Sequence, residues 1–172
     1  MKKMKYLLVI MVVSLLAVFG ISYSLNGKEK EFSNNDFKVK YDSTWKIVDK
    51  KQGLKLKHRK TDSVLNIQCK VLESNYIDTK LSDIISDIVY SVETQNADYK
   101  LINRLNSPND EYESYSYLYE NNDSQALVTI YKKDNKLIIV YYDAQSEYFD
   151  IVLDSVDNIL ASLEIITGEL IN

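Results

Sequence analysis

The feature that most limits what this chain can fold into is an uncharged, almost wholly apolar run over residues 6–25, entered from Lys2, Lys3 and Lys5. Coiled as a helix, that run is about 30 Å long, enough to cross the hydrocarbon layer of a bilayer. Such a segment belongs in lipid, so the water-facing fold has to be built from the rest. The lysines stand before the run and no comparable cluster follows it, which predicts a cytoplasmic N-terminus and export of residues 26–172. Ser22-Tyr23-Ser24 would allow cleavage before Leu25, and Val18-Phe19-Gly20 before Ile21. Neither is an A-x-A site, and cleaved signals have apolar cores of only about 7–15 residues. The expectation is a retained single-pass anchor in the cell membrane, with secretion as the alternative if a cut occurs. Lipid attachment is excluded, because it needs a cysteine directly after the run and the only cysteine is Cys69.

Beyond residue 24 lie 148 residues, the size of one domain with one substantial core. All 25 acidic residues are there, with 18 of the 21 lysines and arginines, so the exported part carries a net −7. That sign disfavours nucleic acid and broad adhesion to anionic surfaces, both of which need clustered cations. A lone cysteine forms no internal disulfide, and Cys69 falls in an apolar strand pattern that predicts a buried, inert thiol.

Residues 1–5 read as a cytoplasmic basic segment, 6–25 as the transmembrane segment, 26–36 as a polar tether with too little apolar surface to pack, 37–166 as the folded domain and 167–172 as a tail. From Phe37 the pattern turns to period two. Phe37, Val39 and Tyr41 alternate with Lys38, Lys40 and Asp42, then come Trp45-Lys46-Ile47-Val48, Leu54-Lys55-Leu56-Lys57 and the apolar stretch 64–72. Four strands about ten residues apart predict an antiparallel meander. Leu81, Ile84, Ile85, Ile88 and Val92 then follow helical spacing, with Asp78 and Thr79 where an N-cap belongs. Strands return at 99–105, 112–120, 126–132 and 137–142, separated by the Ser107-Pro108-Asn109-Asp110 turn and two polar loops. A second amphipathic helix follows, with Asp150 as its cap and Val152, Val156, Ile159, Leu160 and Leu163 on one face. The fold class is α+β: an antiparallel β-sheet flanked by two amphipathic helices, as an α/β/α sandwich behind an N-terminal transmembrane helix.

Two stretches carry a resemblance. Phe37-Lys38-Val39-Lys40-Tyr41-Asp42-Ser43-Thr44-Trp45 resembles the opening of PsbP-like domains, where an alternating strand runs into a proline-containing turn that ends in tryptophan. Leu137-Ile138-Ile139-Val140-Tyr141-Tyr142-Asp143-Ala144, Phe149-Asp150 and Ile159-Leu160-Ala161-Ser162-Leu163 resemble that family's last strand and helix. Asp42 departs from the pattern by standing where proline is usual. The resemblance spans residues 37–166 and implies the PsbP-like fold, shared by the photosystem II subunit PsbP, Ran-binding Mog proteins and bacterial envelope proteins of the DcrB and LpqN type. Most of these act by binding rather than turnover, and no catalytic set carries over.

Catalytic chemistry has little to draw on. The single histidine, His58, stands in Lys57-His58-Arg59-Lys60, a cationic stretch with no adjacent acid, and is expected on the surface. One histidine and one cysteine cannot hold zinc, and Asp83 with Asp87 offers too few oxygens for calcium. Gly27, Gly53 and Gly168 build no phosphate-binding loop. The chain is therefore expected to be a non-catalytic binding or accessory protein of the bacterial cell envelope, without cofactor or metal, whose partners are the membrane through residues 6–25 and another envelope protein. A hydrolase with a carboxylate pair, and a binder of glycans or lipid headgroups, are the alternatives. Two candidate surfaces exist. Tyr115, Tyr117 and Tyr119 share one face of a strand, in a chain with 14 tyrosines, and would suit recognition if exposed. Lys55, Lys57 and Arg59 project together from another strand as a cationic row, which would otherwise serve to blunt a sheet edge.

Overall fold

The computed structural model describes residues 28–95, 98–106 and 113–167. The apolar run 6–25, the Ser107–Asp110 turn and the tail from 168 lie outside the described residues, as do the side chains of Asp87, Ile88 and Val92. No helix among the described residues is long and apolar enough to cross a membrane.

Among the described residues, ten strands and two long helices follow one another: β1 (Lys30–Ser33), β2 (Phe37–Tyr41), β3 (Trp45–Asp49), β4 (Leu54–His58), β5 (Val64–Val71), a short 3-10 turn (Ser74–Tyr76), α1 (Leu81–Gln95), β6 (Lys100–Asn106), β7 (Glu113–Glu120), β8 (Ser124–Lys133), β9 (Lys136–Gln145), α2 (Ser146–Ala161) and β10 (Glu164–Ile165). A seven-stranded antiparallel sheet runs in the order β3-β4-β5-β9-β8-β7-β6, beside a small sheet β1-β2-β10. β2 to β9 lie where the strand pattern puts them, because each has apolar side chains to bury, while β1 and β10 were not expected. β2, for instance, buries Phe37, Val39 and Tyr41 and leaves the lysines between them half in water.

The large sheet has a core on each face. On one side, Trp45, Leu56, Leu65, Ile67, Val140 and Tyr142 pack against Phe149, Val152, Val156 and Ile159 of α2 and against the small sheet. On the other, Tyr117, Tyr119, Val128 and Ile130 pack against Leu81, Ile84, Ile85 and Val89 of α1. This is the expected antiparallel sheet between helices, with the small sheet added.

Three local expectations are corrected, and the turn at Asp42 is explained. Residues 30–33 are not a tether: β1 pairs with β2 from Lys30 opposite Tyr41 to Ser33 opposite Lys38, and Phe32 packs on the core with its ring 5.7 Å from Phe37. One aromatic side chain and a free edge of β2 suffice to order a segment whose composition is polar. The amide of Leu81 at the start of α1 donates not to Asp78 or Thr79 but to the Glu113 carboxylate of β7, 2.7 Å away. α2 begins at Ser146, so Asp150 lies inside it, and its N-cap residue Gln145 makes no side-chain cap. Asp42 replaces the usual proline by accepting from the Thr44 amide at 2.6 Å, which closes the turn into Trp45.

Candidate functional site

The tyrosine strand is covered rather than presented. Alternation puts Tyr115, Tyr117 and Tyr119 of β7 on one face, and that is the face on which α1 needs apolar surface for its stripe. Tyr117 and Tyr119 are 4 % and 3 % exposed, with rings stacked 6.5 Å apart, and Tyr115 is half-buried. The Tyr119 hydroxyl finds no hydrogen-bond partner among the described residues. Burial, reinforced by the Glu93 charge, pushes its pKa up to about 12. What remains open is a groove of about 560 Å³ between α1 and β6–β7, walled by Val89, Tyr90, Glu93, Arg104, Tyr115 and Tyr117 among others. Arg104 lies 5.7 Å over the Tyr117 ring at its mouth, and Tyr90, which the sequence pattern did not single out, is 72 % exposed on its helical wall.

The cationic row is exposed at Lys55 and Arg59 and half-buried at Lys57, and it is larger than the sequence implied. α1 covers only the β9-β8-β7-β6 half of its face, so the β3-β4-β5 half of that face has no helix over it among the described residues. Lys55 and Lys57 point there from β4. Lys46 of β3 lies directly opposite Lys57, and Asp49 of β3 and Asn66 of β5 opposite Lys55, with Gln68 and Lys70 further along β5. Like charges opposed across a ladder are destabilising, and the fold offsets this pair with Asp62, whose carboxylate is 2.8 Å from the Lys57 ammonium. The Lys57 ammonium in turn holds Asp62 below its ordinary value. β4 is not an edge, since β3 flanks it, so shielding an edge does not explain the row. Arg59 separates from it: beyond the end of β4, its Nε donates to the Ser43 carbonyl at 3.0 Å. Lys46 was missed because the pairing of β3 with β4 that brings it opposite Lys57 is not readable from either strand alone.

Where the covered and bare halves meet, Asp143 of β9 accepts from the hydroxyls of Tyr99 at 3.0 Å and Tyr141 at 3.2 Å. Burial and then the Asp143 charge push both phenols above their ordinary range. Elsewhere, Lys136, 8 % exposed, donates to the Asn35 and Ile166 carbonyls and the Asp36 carboxylate at 2.7–3.0 Å and ties the small sheet to β9. Cys69 is half-buried rather than buried, and desolvation followed by the Asp36 charge pushes its thiol up to about 11, where it stays protonated at neutral pH. His58 is also corrected. It is half-buried, its ring 5.2 Å from that of Trp45 and its Nδ1 2.8 Å from the Thr61 hydroxyl. Desolvation lowers its pKa despite the opposing pull of Asp42.

No protein-family model matches the sequence, and comparison with curated proteins finds no match. Solved structures do match. Cyanobacterial PsbP (CyanoP) from Synechocystis sp. PCC 6803 superposes with a TM-score of 0.64 at 18 % identity, over 81 % of this chain and 93 % of that one. LpqN of Mycobacterium tuberculosis, a protein involved in cell envelope biogenesis, superposes with a TM-score of 0.58 at 6 % identity, over 80 % of this chain and 90 % of that one. With the strand order, the two-sided core and the tryptophan turn at Asp42–Trp45 in place, the described part of this chain has the PsbP-like fold.

Proposed function

We propose that this chain is a membrane-anchored, extracytoplasmic protein of the bacterial cell envelope that acts by binding a partner rather than by catalysing a reaction. The observation that carries the reading is the bare half of the large sheet, where Lys46, Lys55, Lys57 and Lys70 stand on a domain whose net charge is negative. Exposed sheet surface on which cations outnumber carboxylates, here Asp49 opposite Lys55 and Asp62 beside Lys57, selects partners of the other sign and speeds their encounter. The partner is an envelope protein with an acidic surface, and residues 6–25 hold the domain at the membrane. The likeness to LpqN, itself described as involved in cell envelope biogenesis, is consistent with an accessory role in the envelope.

A photo-crosslinking residue at position 55 in intact cells tests this. It is expected to capture one reproducible envelope protein, with a yield that falls about tenfold or more when Lys46 and Lys57 become glutamine, given that each rim charge contributes on the order of 1 kcal/mol. An unchanged yield in that variant would move the binding surface elsewhere.

A further inference from the structure

The geometry points to a second contact, separate from the bare sheet: the end of the domain at the β2–β3 turn rests on the anionic phospholipid headgroups of the bilayer that holds the chain. Like the reading above, this requires residues 6–25 to lie in that bilayer.

The reason is the short connection. Because β1 starts at Lys30, only residues 26–29 separate the apolar run from the folded sheet. Five steps along even a fully extended chain reach about 17 Å, and Glu29 is already held 3.5 Å from Lys40. Lys30 is therefore kept close to the membrane surface, and so is whatever neighbours it. Its cross-strand partner is Tyr41, two residues before Ser43. The Ser43 and Thr44 carbonyls accept from the Nε and backbone amide of Arg59, at 3.0 and 2.8 Å. Lys28, Lys30, Arg59 and Lys60 thus gather at one end of the molecule, and all four are exposed.

Three of the carboxylates at that end are engaged, while Asp154, next to Ser155 on α2, is exposed. Glu29 faces Lys40, Asp62 faces Lys57, and Asp42 accepts from the Thr44 amide and, at 3.3 Å, the Ser155 hydroxyl. Across the same end of the large sheet, beyond β9, Asp98, Glu120 and Asp123, with Lys100 as the one cation among them, line a polar cleft of net negative charge. One side is cationic and the other acidic, so an anionic plane below the domain draws the cationic side down and tilts the acidic side away. Attraction of this kind acts over about 8 Å at physiological salt, a gap that a 17 Å leash lets the domain close. Tethering supplies a high effective concentration, so a contact too weak to recruit a free protein still forms. The bilayer, not a wall polymer, is the occupant because the connection never lets this end leave it.

The full chain reconstituted in phosphatidylcholine vesicles, with or without phosphatidylglycerol, separates the possibilities. Flotation reports the anchor, and amide hydrogen exchange across the Arg59–Ser63 turn reports the headgroup contact. Flotation with both vesicles, and slowed exchange only with phosphatidylglycerol, is the expected result. Added salt reverses the protection, and replacing Arg59 and Lys60 by glutamine weakens it roughly 25-fold, about fivefold per cation at an anionic surface. Flotation with identical exchange in both vesicles overturns the headgroup contact and leaves the anchor standing. Failure to float with either overturns the anchor and this inference with it. Equal protection by soluble glycerol phosphate without vesicles overturns the assignment to lipid.

Discussion

His58 shows how far a side chain's environment can depart from that of its neighbours in sequence. Flanked by lysines and an arginine, it nonetheless turns its ring to Trp45 because the register of β3 with β4 pairs the two residues on the inward face. Desolvation then lowers its pKa below 6.5. The unfolded chain therefore takes up the proton more readily than the folded one. Stability is full above about pH 6.5 and declines as the pH falls below it, toward the depressed folded value. The chain has one histidine, so the effect is assignable. The urea midpoint is expected to fall between about pH 7 and pH 5.5 in the parent and to stay level over that window in His58→Gln. A parent midpoint that is flat or rises on acidification would refute the placement of the ring. Gly53 makes the same point for the backbone: at φ 127° in the turn before β4, an added Cβ would lie 2.1 Å from the Ile67 carbonyl, a contact invisible until the neighbouring strand is in place.

Elements were legible wherever periodicity was strong. The alternations at 37–41, 54–57 and 126–132 and the helical stripe from Leu81 each correspond to an observed element, because each buries a repeating face. Elements that depend on a partner were not legible. β1 and β10 exist as edge strands of β2, and β10 contributes only two residues. The start of α1 is satisfied from Glu113, 32 positions downstream. The weight of β1 can be measured at Phe32, its one core contact. A buried Phe→Ala change costs about 3–5 kcal/mol, and for this half-buried ring about 2 kcal/mol is expected in urea unfolding of Phe32→Ala. A cost near zero would return residues 30–33 to the role of a tether. The tyrosine strand was legible as a shared face, but whether that face met water or a helix was not, since α1 could have covered either half of the sheet.

At the scale of the whole molecule, one helix among the described residues covers half of one sheet face, and that partial cover defines both the bare cationic surface and the tyrosine groove. The placement outside the cytoplasm is testable directly. In wall-stripped cells, a reporter fused after Asn172 is expected to be cleaved by added protease, and protection from it would overturn the topology. By itself, the sequence determined the apolar run and its flanking charges, the fold class and the two families of amphipathic faces. These depend on local pattern and composition, which the chain carries in every conformation. Only the tertiary structure decided which faces meet. It put Lys46 beside Lys57, sank Tyr117 and Tyr119 under α1, and drew Lys30 to the end that holds Arg59. Those outcomes depend on register and on the choice between surfaces of similar apolar character, and such choices are settled by packing among residues far apart in the chain.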